Sequence, residues 1–234
     1  MALITPPDLA SASLSLCIFL STYTSYLAGQ PPNPTPYDST EPDSMSYAVT
    51  PRALFIRSSI SLTLGVYHAL VSLTYPNPPP ALCPNPANLS PYLFTWTPYS
   101  AICIATIFLG CYIRLTAFSI LGQSFTFRLK EPQKLVTSGL YRYMQHPSYT
   151  GKSLIVYASW VLIRRSDGIV GCWLPTWAVG ATWFWRTLGC LYGLGVLRVT
   201  WKRVSEEEVM LKRTFGKEWE EWHARTSRFI PGLF

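Results

Sequence analysis

Five apolar runs decide what this chain can become, because roughly 20 such residues carry a helix across a hydrocarbon core. Leu9–Ala28 holds no charge, although its Ser and Thr dilute it, and Ser58–Tyr75 follows with Arg57 at its edge. Pro98–Gly122 contains Arg114, Tyr149–Ile163 is short with Lys152 near its start, and Ile169–Val199 is long with Arg186 inside. The turn Arg164-Arg165-Ser166-Asp167-Gly168 joins the last two runs, so they predict a hairpin. Charged residues are 13% of the 234, against about 25% in a soluble domain, and nine Trp and fourteen Tyr supply interfacial aromatics. The expectation is an all-α integral membrane protein with about five transmembrane helices, the last two a hairpin. Residues 1–97 are expected to hold two N-terminal transmembrane helices with Pro-rich loops, and residues 98–234 the remaining three.

Charge placement orients the runs. Gln123–His146 carries Arg128, Lys130, Lys134 and Arg142, and the tail from Thr200 carries Lys202, Arg203, Lys212, Arg213, Lys217, Arg225 and Arg228. Both flank the last hairpin, and the positive-inside rule puts them in the cytosol. The Arg164-Arg165 pair opposes this weakly. A net charge of +7 then reflects lipid-facing loops, and no interleaved basic–aromatic pattern points to nucleic acid. Nothing basic precedes Arg52, which makes a poor secretory signal, so the first run is expected to be retained.

Two connections are rich in proline. Gln30–Pro51 holds six of the twenty Pro and Pro76–Pro98 holds eight, which predicts extended, surface-lying loops without helix or sheet. The six Cys are scattered without C-x-x-C or Cys/His spacing, so neither a disulfide framework nor a metal site is expected. Val204–Phe215 reads as a separate helix stopped by Gly216. Trp219 and Trp222 follow at helical spacing among acids and Lys217, and predict an interfacial cytosolic helix anchored by the two indoles. His68 is expected to be a packed core histidine and His223 a surface one.

Chemistry concentrates in two places. Gly139–Gly151 is polar and aromatic between two apolar runs, with Pro147 able to open a helix where a missing N–H costs nothing. The first-turn amides of Ser148, Tyr149 and Thr150 would then face an acceptor at the positive end of the helix dipole. The plainer alternative is a capped helix start at a membrane surface. Glu206-Glu207-Glu208 gathers three of only twelve acids just past the last run. As a solvated face it would pair with Lys202, Arg203, Lys212 and Arg213. As a site it would meet the His146-Pro147 turn at the same membrane face and grip a zwitterion. Arg114, inside an apolar run, must snorkel, pair or line a cavity, where it would hold a substrate carboxylate bidentately. Snorkelling is the expectation for Arg57 and Lys152.

These motifs, in this order, resemble the isoprenylcysteine carboxyl methyltransferases, within the wider group of small integral-membrane methyltransferases that includes phospholipid N-methyltransferases. Arg114 through Thr126 is similar to the family's R-x-x-A-x-x-x-L-G-x-x-F-T. Leu135 through Tyr149 is similar to L-V-x-x-G-x-Y-x-x-x-R-H-P-S-Y. Arg203-Val-Ser-Glu-Glu-Glu208, Phe215-Gly-Lys-Glu-Trp219 and Ile230-Pro231 complete the set, which covers residues 98–234. The resemblance implies S-adenosyl-L-methionine held by Tyr141, Gln145, His146, Pro147, Tyr149, Glu207 and Glu208 on the cytosolic side of the endoplasmic reticulum membrane. It implies a prenylated cysteine as methyl acceptor, its lipid tail entering from the bilayer. For that acceptor Arg114 or Arg203 is the expected catalytic cation that positions the carboxylate, and Glu207 or Glu208 is the candidate base only if the acceptor is an amine; no metal is expected. One position departs: Gln145 stands where the family has Arg, and an amide hydrogen-bonds without supplying charge. Arg142 or Arg203 would have to compensate. Other readings are the same fold acting on an amine lipid or another small lipophilic acid, a sterol-reductase-like oxidoreductase, and a non-enzymatic scaffold.

Overall fold

The computed structural model describes residues 8–33, 50–125, 127 and 131–233, and among these the regular structure is entirely helical. Six helices matter here. They are α1 (Leu9–Gly29), α2 (Pro51–Thr74), α3 (Pro98–Leu121), α4 (Pro147–Ile163), α5 (Thr182–Phe215) and α6 (Lys217–Ala224). Three of them, α2, α3 and α4, begin on a proline, which fits a first helical position whose N–H has no partner in any case. Two helical stretches, Pro51–Thr74 and Pro98–Ser124, are long and apolar enough to cross a membrane. Of the predicted basic residues in the third connection, Arg128 and Lys130 lie outside the described residues, as does most of the first Pro-rich loop.

The chain divides into two compact units, each assembled from separate stretches. The first comprises residues up to Tyr26 with Ser59–Phe108 and Ile155–Tyr192. In it, Ser15 Oγ donates to the Ala69 carbonyl at 2.8 Å, and Gly65 leaves no room for a side chain against Thr22. Leu14, Ile18 and Val71 are fully buried. His68 is the core histidine the sequence predicts: buried, with Nε2 3.0 Å from the Leu93 carbonyl and its ring stacked on Phe94. Trp160 stacks on Tyr192 at 3.9 Å between ring centres, which joins α4 to α5 within this unit.

Four sequence expectations are corrected here. The Pro-rich segment before α3 is not wholly extended: it contains a 3₁₀ turn at Pro86–Asn88 and a helical turn at Pro91–Phe94, whose Leu93 and Phe94 are buried. Proline density excluded helix interiors there but not single turns that begin on proline. Cys83 and Cys172 form a disulfide across a separation of 89 residues. No local spacing announces it, because the partners meet only where Asn85 and Asn88 bind the Cys172, Gly171 and Leu174 carbonyls. The run Ile169–Val199 is not one helix. A 3₁₀ turn at Ile169–Trp173 and a short turn at Thr176–Gly180 follow Gly168, and Pro175 separates them. Finally, Val204–Phe215 is helical and stops before Gly216 as expected, but it continues the preceding run without a break: α5 runs 34 residues with no proline and only three glycines inside.

The second unit comprises Leu27–Ser58, Leu109–Leu154 and Gly193–Phe234. All of the candidate site lies in it.

Candidate active site

A charged group buried among apolar helices is tolerated only when its N–H groups are satisfied. Arg114, 6% exposed on α3, has partners for two of its three nitrogens inside the second unit. Its Nε donates to the Ala28 carbonyl at 2.7 Å, where α1 ends and carbonyls lack helical partners. Its Nη1 donates to the Ser148 carbonyl at 2.9 Å and to Ser148 Oγ at 2.8 Å. The guanidinium also lies over the rings of Phe118 and Phe127. Gly151 permits this approach, because a Cβ there would stand 2.5 Å from the Gly110 carbonyl oxygen and 2.9 Å from the Arg114 Cβ. The start of α4 is thereby pinned to α3.

That start is the His146-Pro147 turn. Its backbone is held from the other side by the C-terminal tail, in parallel pairing of Met144 with Ser227. Gln145 N donates to the Ser227 carbonyl at 2.8 Å, and His146 N donates to the Arg228 carbonyl at 3.0 Å. The amides of Tyr149 and Thr150 both return to the His146 carbonyl, so these two predicted anion donors are spent inside the turn. The site has to be made by side chains.

His146 is 3% exposed and links the acidic pair. Its Nε2 lies 3.3 Å from Glu208 Oε1; a carboxylate only accepts, so Nε2 carries the proton. Arg228 Nη2 donates to the other Glu208 oxygen at 2.8 Å. Burial raises the Glu208 pKa, but the His146 hydrogen bond and the charges of His146 and Arg228 outweigh it, so the carboxyl sits below its ordinary range. His146 Nδ1 points the other way. It lies 4.0 Å from Glu207 Oε1, is buried, and has no hydrogen-bond partner among the described residues. Tyr149 donates its hydroxyl to Glu207 Oε2 at 3.0 Å. Glu207 and Glu208 therefore have different environments. Glu208 braces His146 from behind, while Glu207 borders an open space.

That space is a cavity of about 140 Å³ within the second unit. Tyr141, Gln145, His146, Ser148, Tyr149, Arg114, Arg203 and Glu207 all line it, together with Phe125, Phe127 and Trp222. Pro147 and Glu208 do not line it; they place the groups that do. Tyr141 is pushed above its ordinary pKa by burial and by Glu207, which keeps its hydroxyl protonated. Arg203 donates to the Phe127 carbonyl at 2.7 Å and is electrostatically coupled to the Tyr149 hydroxyl. Lys152 and Arg57, expected to snorkel, line the same cavity instead.

The tail residues were not legible as site residues. Trp219 and Trp222 are buried, not interfacial anchors, and Trp222 Nε1 donates to the Tyr141 carbonyl at 2.9 Å. They pack on Ala117 and Tyr141, with Leu135, Val136 and Phe215 around them. His223, read as a surface residue, stacks on Trp219 and brings Nδ1 within 2.8 Å of Gln145 Oε1. Gln145 Nε2 donates in turn to the Thr226 carbonyl at 2.9 Å and the His223 carbonyl at 3.2 Å. The amide thus uses both its donor and its acceptor to fasten the tail, which a guanidinium, having no acceptor, could not do. The basic neighbours of the acidic cluster turn elsewhere: Lys212 pairs with Glu220 and Arg213 with Glu131.

Comparison with known proteins finds sequences similar to this one. Residues 99–188 match the family described as phospholipid methyltransferase. The protein-S-isoprenylcysteine O-methyltransferase of Dictyostelium discoideum is 26% identical over 150 residues, 62% of this chain and 53% of its own length. A probable protein-S-isoprenylcysteine O-methyltransferase of Oryza sativa subsp. indica is 27% identical over 149 residues, 62% of this chain and 68% of that protein. Protein-S-isoprenylcysteine O-methyltransferase B of Arabidopsis thaliana is 28% identical over 132 residues, 55% of this chain and 57% of its own. The chain is similar to these methyltransferases over little more than half of its own length. It spans about half to two thirds of the length of these relatives.

Two outcomes follow from the site's construction. Gln145→Arg removes the acceptor for His223 and buries a charge, so it should lower the melting temperature by several degrees despite matching the family residue. A melting temperature equal to that of the unaltered protein would show that the amide is not a fastener. Glu208, with its pKa lowered on folding, contributes stability above the ordinary carboxylate range, which is lost as pH falls through the lowered value. Melting temperatures taken from about pH 6 down to pH 3 should therefore fall less steeply in Glu208→Gln than in the wild type. Parallel curves would contradict the bracing role.

Proposed function

We propose that this chain is a membrane-bound protein-S-isoprenylcysteine O-methyltransferase that uses S-adenosyl-L-methionine. The observation that carries the reading is the cavity wall itself. The buried Nδ1 of His146, without a hydrogen-bond partner among the described residues, and the Glu207 carboxylate border a space otherwise lined by aliphatic and aromatic groups, neutral polar groups and basic side chains. That donor set fits the cofactor's mixed charge. Glu207 and His146 would take its ammonium or ribose hydroxyls, Tyr149 and Tyr141 its edges, and Arg203 its carboxylate, while Pro147 and Glu208 hold these groups in place. Gln145 borders the cavity without adding charge. When bound, the cofactor supplies an electrophilic methyl group.

The protein's own task is then alignment and desolvation. An isoprenylcysteine carboxylate is already ionised at neutral pH, so no general base is needed, and positioning alone can supply roughly 7–11 kcal/mol. Arg114 anchors the wall with two of its three nitrogens, and its role is to hold the α3–α4 seam beside the acceptor. The basic lining favours a carboxylate acceptor over an amine, which would need Glu207 as base and would meet repulsion from its surroundings. The matched relatives are methyltransferases by name, which gives the reductase and scaffold readings no support.

The setting belongs to the same proposal. We place the protein in the endoplasmic reticulum membrane as a multi-pass chain of about five spans, with the site, the catalytic core 98–234 and α6 at the cytosolic face. Two features support this orientation. Arg165, which opposed the charge rule, is neutralised by a two-bond pair with Asp167 at 2.8 and 2.6 Å. The Cys83–Cys172 disulfide joins the connection before α3 to the connection after α4, neither of which is a basic segment, and an oxidising lumen would preserve it.

The deciding assay is methyl transfer from labelled S-adenosylmethionine to N-acetyl-S-farnesylcysteine by membranes containing the protein. Base-labile label in the lipid product is expected, and Glu207→Ala should abolish it while the protein still inserts. No transfer, or label stable to base, would contradict a carboxyl methyltransferase.

A further inference from the structure

The cavity carries more positive charge than a methyl donor can use. Arg57, Arg114, Lys134, Lys152 and Arg203 line it, with Glu207 as the carboxylate among them. S-adenosylmethionine has one carboxylate of its own and a net positive charge, so a wall of this sign fits a second, anionic occupant. Two of the cations have structural work. Arg114 is committed to Ala28 and Ser148, and Arg203 to Phe127 and Tyr149. Gln145, at the position where the family resemblance leads one to expect a cation, is neutral and committed to the tail.

Lys152 differs from Arg114, Arg203 and Gln145. It stands on α4 one turn beyond Ser148 and Tyr149, next to the Gly151 contact that fixes α4 against α3. Its ammonium forms no hydrogen bond or ion pair with any described residue, yet it lines the cavity. An ammonium in an apolar helix with no protein partner is costly unless a ligand supplies one. We infer that Lys152 is the specificity-determining cation of the acceptor subsite, binding the acceptor's carboxylate and replacing within the cavity the charge that Gln145 lacks. This rests on the acceptor reading above and deepens it: the accepted substrates are acids, and their neutral counterparts are excluded.

The test combines binding and kinetics on the full-length protein purified in detergent. Heat stabilisation is measured with N-acetyl-S-farnesylcysteine, with its carboxamide, and with S-adenosylhomocysteine, for wild type, Lys152→Met and Lys152→Arg. In the wild type the acid should stabilise and the carboxamide should not. Lys152→Met should lose that preference and raise the acceptor KM at least tenfold, with S-adenosylhomocysteine stabilisation unchanged. Lys152→Arg should restore the acid preference to within a few-fold of wild type. An acceptor KM within twofold of wild type in Lys152→Met overturns the inference while leaving the methyltransferase reading intact. Loss of S-adenosylhomocysteine stabilisation in Lys152→Met overturns it too, by assigning the lysine to the cofactor. A wild-type protein that neither binds the acid nor methylates it overturns both readings.

Discussion

The candidate site depends on one buried guanidinium. An uncompensated ion in a protein interior costs several kcal/mol, so Arg114 fixes the positions of whatever satisfies it. Those partners are the Ala28 carbonyl near the end of α1 and Ser148, the first residue after Pro147 on α4. A single side chain on α3 therefore ties together a helix end and a helix start that no local sequence rule would bring into register. Gly151 makes the same demand sterically, because no other residue lets the two helix backbones come so close. With α4 held there, Tyr149 reaches Glu207 and His146 reaches both acids.

The C-terminal tail completes the arrangement from the opposite side. Residues 226–229 lie along residues 143–146 as an added strand-like edge, Arg228 satisfies Glu208, and Thr150 Oγ1 donates to the Phe229 carbonyl at 2.9 Å. The result is a division of labour between adjacent carboxylates. Glu208 is consumed in holding His146, and Glu207 is left bordering the cavity. Adjacent residues on a helix point about 100° apart, so an acidic pair can brace with one member and bind with the other. Arg57, Arg114, Lys134, Lys152 and Arg203 line the same cavity as Glu207.

Much of this was readable in the residues, for identifiable reasons. Pro147 marks the start of α4 because proline fits only a first turn, and α1 to α4 stand out because each coincides with an apolar run. The motif order pointed to the cavity-lining Tyr141, His146, Tyr149 and Glu207. What escaped was whatever depends on partners distant in sequence. The disulfide joins cysteines 89 residues apart, and the indoles of Trp219 and Trp222 look like membrane anchors until Tyr141 and Ala117 cover them. His223 reads as a surface residue until Gln145 meets it. Lys152 reads as a snorkelling lysine because helix position says nothing of which side faces a cavity. The break near Pro175 was hidden by the apolar composition on both sides of it.

The central claim is that one cavity, bounded by the His146-Pro147 turn and Glu207, holds the methyl donor. The most direct measurement is an experimental structure of the full chain in lipid with S-adenosylhomocysteine at saturating concentration. The account predicts ligand density against Glu207, His146 Nδ1 and Tyr149, with Glu208 still bonded to Arg228 behind them. Density elsewhere, or an empty cavity at a concentration that stabilises the protein, would contradict it.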